Sequence, residues 1–211
     1  MRIDRLGECA VVFCESGAVS VQTQQRILNL AVAARTWLGV QEAVPGMHNL
    51  TVFAEQPAHV PQIEARLREA WPRTAPQYTA GKIVEIPVRY GGADGPDLSA
   101  VAAACRCSDA DVIAIHSGRE YVAFFLGFQP GFAYLGDLDE RLRLPRRDQP
   151  RAGVPAGSVA IAEHMTAVYP ATSPGGWHAI GRTAMQLFDP RLDAPALIQP
   201  GDRVRFVRAS E

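Results

Sequence analysis

The sequence predicts an α+β protein in two parts, a small N-terminal α/β sandwich followed by a closed or nearly closed β-barrel. Three observations carry this. In the first 80 residues, strand-like apolar runs alternate with segments whose apolar residues recur at three- and four-residue spacing. The stretch PRTAPQYTAG (72–81) is rich in Pro, Gly and polar residues and reads as a linker, giving domains at 1–80 and 81–211. From Tyr121 onward almost everything is short strand and Gly/Pro turn, the pattern of a barrel.

In chain order, ECAVVFC (8–14) is a β-rich apolar run. Ser20 caps a helix continuing to about Leu38, since Ile27, Leu30, Ala31, Ala34, Trp37 and Leu38 share one face, and Gly39 ends it. Strands follow at 40–44 and 50–54, separated by the Pro45-Gly46 turn. A second amphipathic helix carries Val60, Ile63, Leu67 and Ala70 inward, with Glu64 and Arg68 paired on its polar side. The order strand, helix, strand, strand, helix is that of a ferredoxin-like split βαβ sandwich. KIVEIPVR (82–89) is available as its further strand, or to pair with the second half. Short helices are expected at 97–104 and 109–117, the latter with Ser108 and Asp111 as a capping box. In the last strand (203–207), Arg203 and Arg205 face out and Val204 and Phe206 face in.

Composition excludes more than it assigns. A net charge of -1 gives no electrostatic argument for nucleic acid or an anionic membrane as partner. No window is long and apolar enough to span a bilayer, and MRIDRLGECAVVF does not read as a signal peptide, so a cytoplasmic protein is expected. Cys9, Cys14, Cys105 and Cys107 have no zinc or redox spacing and are expected as reduced, mostly buried thiols. The five histidines show no metal spacing, so no metal site is predicted. GxxxxGK[ST], GxGxxG and a GxSxG elbow are all absent.

The candidate site lies in 124–183, which concentrates Gly, Pro and the aromatics Phe128, Phe132, Tyr134, Tyr169 and Trp177 around Arg146, Arg147, Arg151 and Arg182. Two readings stand: hairpins with aromatics as core, or a loop-built pocket where backbone N–H and guanidinium groups receive an anion. GFQPGFAYL (127–135), PRRDQPR (145–151), VPAGSVAIA (154–162), YPATSPGGW (169–177) and IGRT (180–183) follow one another in an order and spacing that resembles the family of 5-oxoprolinase B subunits. That family is also called allophanate hydrolase subunit 1 and includes the sporulation-kinase inhibitor of bacilli. IPVRYGG (86–92), PDL (96–98), VIAIHS (112–117) and PALIQPGDRVRF (195–206) extend the match.

The resemblance implies a cyclophilin-like fold for the barrel and a small α/β domain before it. It implies a subunit of an ATP-dependent 5-oxoprolinase opening 5-oxoproline to glutamate, with a C-type partner barrel subunit and a third subunit. ATP would be bound with the partner, if at all, and the substrate would be a small carboxylate or lactam. A kinase-inhibiting regulator, or the carboxyltransferase half of a urea carboxylase-like system, are the alternatives. Where the family tends to have Gly-Asn-Gln-Thr-Gly, this chain has Glu163-His164-Met165-Thr166-Ala167.

Within these motifs, Arg146, Arg151 and Arg182 are the anion-binding candidates, or else surface partners of Asp137, Asp139 or Asp148; Arg147 reads as a solvated neighbour. Ser158 is either a substrate donor or a turn hydroxyl, and Thr166 and Tyr169 complete the substrate-binding set. Gly175 and Gly176 would let a ligand approach the backbone, unless they simply make a tight turn, with Trp177 and Tyr134 as half core, half wall. His116, at a helix end that favours its charged form, is read as a proton shuttle or as a packing residue bonded to a loop carbonyl.

Overall fold

The computed structural model describes residues 1–17, 20–76 and 81–209. Its chain divides into two compact units, Met1–Ala80 and Gly81–Glu211. Residues 77–80 of the expected linker lie outside the described residues.

The first unit contains β1 (Arg2–Leu6), β2 (Ala10–Cys14), α1 (Val21–Ala34), β3 (Val40–Gly46), β4 (Asn49–Ala54) and α2 (Val60–Ala70). The strands form one antiparallel sheet in the order β1-β2-β4-β3. Val11 and Phe13 of β2 and Leu50, Val52 and Ala54 of β4 turn one face inward, where they join Ile27, Leu30 and Ala31 of α1 and Ile63 and Leu67 of α2 in one core. Ser20 caps α1, its hydroxyl accepting from the Thr23 N–H at 3.1 Å. The helix stops at Ala34 rather than near Leu38. Its last turn tightens into bonds from the Thr36 and Trp37 N–H groups to Ala33 and Ala34, which leaves Leu38 exposed.

The fourth strand of this sandwich is β1, not the run beginning at Lys82. RIDRL is almost wholly exposed, so it carries no apolar alternation by which to be recognised. By pairing with β2 from the N-terminal side it fills the sheet edge that a later strand would otherwise have taken.

In the second unit, β5 (Ile83–Tyr90) is followed by α3 (Leu98–Ala104), α4 (Asp109–Ser117), β6 (Glu120–Leu126) and β7 (Ala133–Gly136). Then come β8 (Arg151–Val154), β9 (Ser158–Ala162), β10 (Met165–Val168), β11 (Ser173–Gly175), β12 (His178–Arg182) and β13 (Arg203–Arg208). Seven strands close into a barrel in the order β10-β7-β6-β13-β5-β12-β9, with β10 returning to β9. β5 and β13 pair in parallel. The Asp202 carboxylate secures their start by accepting from the N–H groups of Lys82 at 3.0 Å and Gln199 at 2.8 Å. Val84, Ile86 and Val88 of β5 and Val204 and Phe206 of β13 alternate into the barrel core. β8 and β11 form a separate two-stranded ribbon. α4 begins with the expected capping box of Ser108 and Asp111.

His116, in the last turn of α4, is fully buried among rings of Tyr90, Tyr121 and Phe206. The Thr166 hydroxyl donates to the Ala160 carbonyl at 3.0 Å, so it must accept from His116 Nε2–H at 2.9 Å. That leaves Nδ1 to accept from the Tyr90 hydroxyl at 2.8 Å. One neutral tautomer satisfies every partner. Burial pushes the imidazole pKa from 6.5 down to about 3, overriding any help from the helix end. His116 is therefore a structural group without contact with solvent, not a proton shuttle, and Thr166 is committed to the same network.

This burial has a pH consequence. Between pH 6.5 and about 3 the unfolded chain binds a proton at His116 that the folded chain refuses. Stability should thus be fully present above 6.5 and fall as pH drops, by up to about 1.4 kcal/mol per pH unit from this group. Denaturant titrations between about pH 4 and 7 should show a shallower acid slope for His116→Gln, whatever its baseline stability. Equal slopes for parent and variant would contradict the assignment.

Candidate functional site

The site is built around a carboxylate. Asp97 precedes α3 and is buried, yet its side chain makes no bond to that helix. Instead Arg151 grips it with two parallel bonds, Nη1 to Oδ2 at 2.6 Å and Nη2 to Oδ1 at 2.8 Å. Arg147 Nη1 donates to Oδ1 at 2.6 Å, and the Ala179 N–H of β12 donates to Oδ2 at 2.8 Å. Burial alone would raise the Asp97 pKa; the bonds from Arg151 and Ala179 and the charges of Arg151 and Arg147 outweigh it and hold the carboxyl below its ordinary value. The Arg147 N–H also donates to the Gly176 carbonyl at 2.8 Å. The approach to α3, the arginine segment 145–151 and the SPGGW loop are thus tied together at one buried anion.

With Arg147 and Arg151 turned inward to Asp97, Arg146 faces a cavity of about 240 Å³. Phe128, Phe132, Tyr134, Tyr169 and Trp177 line it with their rings, together with Pro150, Pro174, Gly175 and Gly176. Phe132 meets the other wall rings edge to face, with centroids 5.0 Å from Tyr134, 5.3 Å from Tyr169 and 5.8 Å from Trp177. A side chain at Gly175 would strike the Tyr169 hydroxyl, which accepts from the Trp177 N–H. At Gly176 a Cβ would find Pro150 Cγ no nearer than 3.7 Å, so only Gly175 is held to glycine by close approach. Phe128 is 60% exposed at φ 67°, an apolar ring displayed from a backbone conformation that costs energy.

Of the residues the sequence nominated, Arg146, Tyr169, Gly175, Gly176 and Trp177 meet in this cavity. Arg151 lies beside Gly175 in the β8–β11 ribbon, but Asp97 occupies its guanidinium. Arg147 is no solvated neighbour, because it shares that carboxylate. Arg182 donates from Nε to the Ala156 carbonyl at 2.9 Å, and Ser158 is buried on β9; neither lines the cavity. Asp97 and Pro150 were not singled out as site residues; Phe128 and Phe132 were named among the aromatics of the candidate stretch, as core or as pocket. The lone acidic residue in PDL, preceding a motif with three arginines, was the available signal for Asp97. The four cysteines are free thiols, only partly buried rather than mostly buried.

Among the described residues, no Ser, Cys, His or carboxylate lines the cavity. The two phenols are pushed up in pKa, Tyr134 and Tyr169 each chiefly by burial with the Arg146 charge opposing, so at neutral pH they are hydrogen-bond donors. Apolar walls, one cation and neutral donors suit holding a small flat acid and offer no nucleophile. Among the described residues no group of three or more potential ligands could hold a metal ion, and no helix is long and apolar enough to cross a membrane.

The shared anion generates a stability prediction. Asp97→Ala leaves two guanidinium groups facing each other without their counter-charge and should destabilise the barrel unit by about 3–5 kcal/mol. Asp97→Asn, which keeps the shape, should fall between it and the parent. Denaturant unfolding measures both, and losses below about 1 kcal/mol for Asp97→Ala would mean that the cluster behaves as an exposed ion pair.

Comparison with known proteins agrees with this architecture. Residues 1–198 match the family described as carboxyltransferase domain, subdomain C and D. The chain is 49% identical over 208 residues to the 5-oxoprolinase B subunit of Escherichia coli O157:H7, covering 98% of this chain and 95% of that protein. Among solved structures, TTHA0988 superposes with a TM-score of 0.81 at 36% identity over 96% of this chain, which spans only 40% of TTHA0988. The urea carboxylase of Kluyveromyces lactis shares the fold, with a TM-score of 0.75 at 18% identity, covering 99% of this chain and 22% of that one. The chain belongs to the carboxyltransferase domain, subdomain C and D family, and within it to the relatives named as the B subunit of 5-oxoprolinase.

Proposed function

We propose that this chain is the acid-binding subunit of a 5-oxoprolinase, holding the small cyclic acid in the Arg146 cavity while partner subunits complete the reaction. The observation that carries the reading is the cavity itself: aromatic walls with one guanidinium among them. A lactam ring can lie against the aromatic faces, its carboxylate on Arg146, its carbonyl within reach of the Tyr134 or Tyr169 hydroxyl. The near-complete match to a protein named as a 5-oxoprolinase B subunit supports the same substrate.

ATP is a poor match for this cavity, which at about 240 Å³ is below the usual range of roughly 300–1,000 Å³ for drug-sized ligands and has Arg146 as its one cation. Arg147 and Arg151 already share the Asp97 carboxylate, which lowers the net positive charge they could offer to phosphates. We therefore assign ATP to the partner side. The extra length of TTHA0988, of which this chain spans 40%, supports a partner polypeptide, because the same fold there is part of a longer chain.

Two outcomes test the proposal. The purified chain should show no 5-oxoproline-dependent ATP hydrolysis, and co-expression with its partner subunits should restore it; robust turnover by the single chain would contradict the division of labour. Calorimetry with 5-oxoproline should show Arg146→Ala weakening binding about tenfold or more, the loss of one charge-assisted hydrogen bond. Binding by Arg146→Ala equal to the parent would remove Arg146 from the site.

A further inference from the structure

Among the described residues Arg146 is the one guanidinium lining the cavity, and in the free chain it already has an anion. Its Nε lies 3.3 Å from Oε1 of Glu163. Glu163 occupies the turn between β9 and β10 at φ 54°, where glycine would be less strained. Its N–H donates to the Leu144 carbonyl at 2.6 Å, which pins that turn against the beginning of the arginine segment. The two side chains are 59% and 58% exposed, so the pair is weak and open to exchange with a dissolved carboxylate. A ligand carboxylate backed by the aromatic walls would hold Arg146 in a less polar setting than Glu163 does.

We propose that Glu163 is a specificity-determining residue for this cavity. It serves as the resident counter-anion of Arg146, gives way to a ligand's carboxylate, and then selects acids with one negative charge over acids with two. This inference rests on the reading of the cavity as an acid site. The selection follows from the tether. A displaced Glu163 cannot leave, because its backbone stays bonded to Leu144, two residues before Arg146. A second carboxylate on the ligand therefore meets a fixed negative charge within a Debye length of about 8–10 Å. A lactam N–H in the same place meets an acceptor. The residue would thus favour a ring-closed acid of one charge over an open-chain dicarboxylate of similar size.

The test is calorimetric titration of the full chain at low salt, using 5-oxoproline as the singly charged probe and glutarate as the doubly charged one. The parent should prefer 5-oxoproline. In Glu163→Gln both probes should tighten, 5-oxoproline by about threefold and glutarate by about tenfold, with the difference shrinking as salt is raised. Glu163→Gly should behave alike, and because it relieves the positive φ it guards against a folding artefact. Unchanged constants for both probes in both variants would overturn the role of Glu163 and leave the acid site standing. Failure of both probes to bind the parent and both variants would overturn the acid site, and this inference with it.

Discussion

Everything at the loop end of the barrel depends on one buried carboxylate receiving more positive charge than it can neutralise. Asp97 carries a single negative charge, and two guanidinium groups and a backbone N–H converge on it. Neither arginine could be left in that position without it, and Asp97 could not stay ionised under burial without them. The arginine segment and the SPGGW loop are also paired in the β8–β11 ribbon, and the anion joins the approach to α3 and Ala179 of β12 to them. Its most local effect is on direction: by drawing Arg147 and Arg151 inward, it leaves Arg146 as the arginine of that segment that turns to the cavity.

The cavity follows from the same arrangement. Gly175 lies in the ribbon strand opposite Arg151, and its missing side chain lets the loop close onto the Tyr169 hydroxyl. Tyr169 in turn packs on Phe132, which is the common neighbour of the other wall rings. Rigid aromatic walls lose little conformational entropy on binding, so they suit a site meant to hold a small ligand of few atoms. No Ser, Cys, His or carboxylate is part of the described lining, so the groups this chain brings to the cavity are aromatic rings, two phenols and one guanidinium.

How much of this was legible in the sequence depended on whether a residue's role was local. The α1 and α4 caps, the alternation in β13 and the two-part plan are set by near neighbours in sequence, and they could be read there. β1 could not, because an exposed strand of charged residues leaves no apolar period. The arginines show the deeper difficulty. In PRRDQPR nothing local distinguishes Arg146 from Arg147, and the residue that sorts them lies 50 positions earlier. His116 is similar: its place at a helix end argued for a charged imidazole, and only the barrel packed around it reverses the sign. The aromatic motifs were legible as a group, but which rings were core and which were wall depended on barrel closure.

The central claim, that the aromatic cavity receives a small acid, has a direct spectroscopic reporter. The chain has three tryptophans, Trp37 and Trp71 in the first unit and Trp177 in the cavity wall. Their indole N–H signals can be followed by NMR while 5-oxoproline is added, with Trp177 assigned from its loss in Trp177→Phe. The account predicts that the Trp177 signal moves in a saturable way while those of Trp37 and Trp71 stay in place. A motionless Trp177 signal at saturating acid, or a shift confined to Trp37 and Trp71, would contradict it.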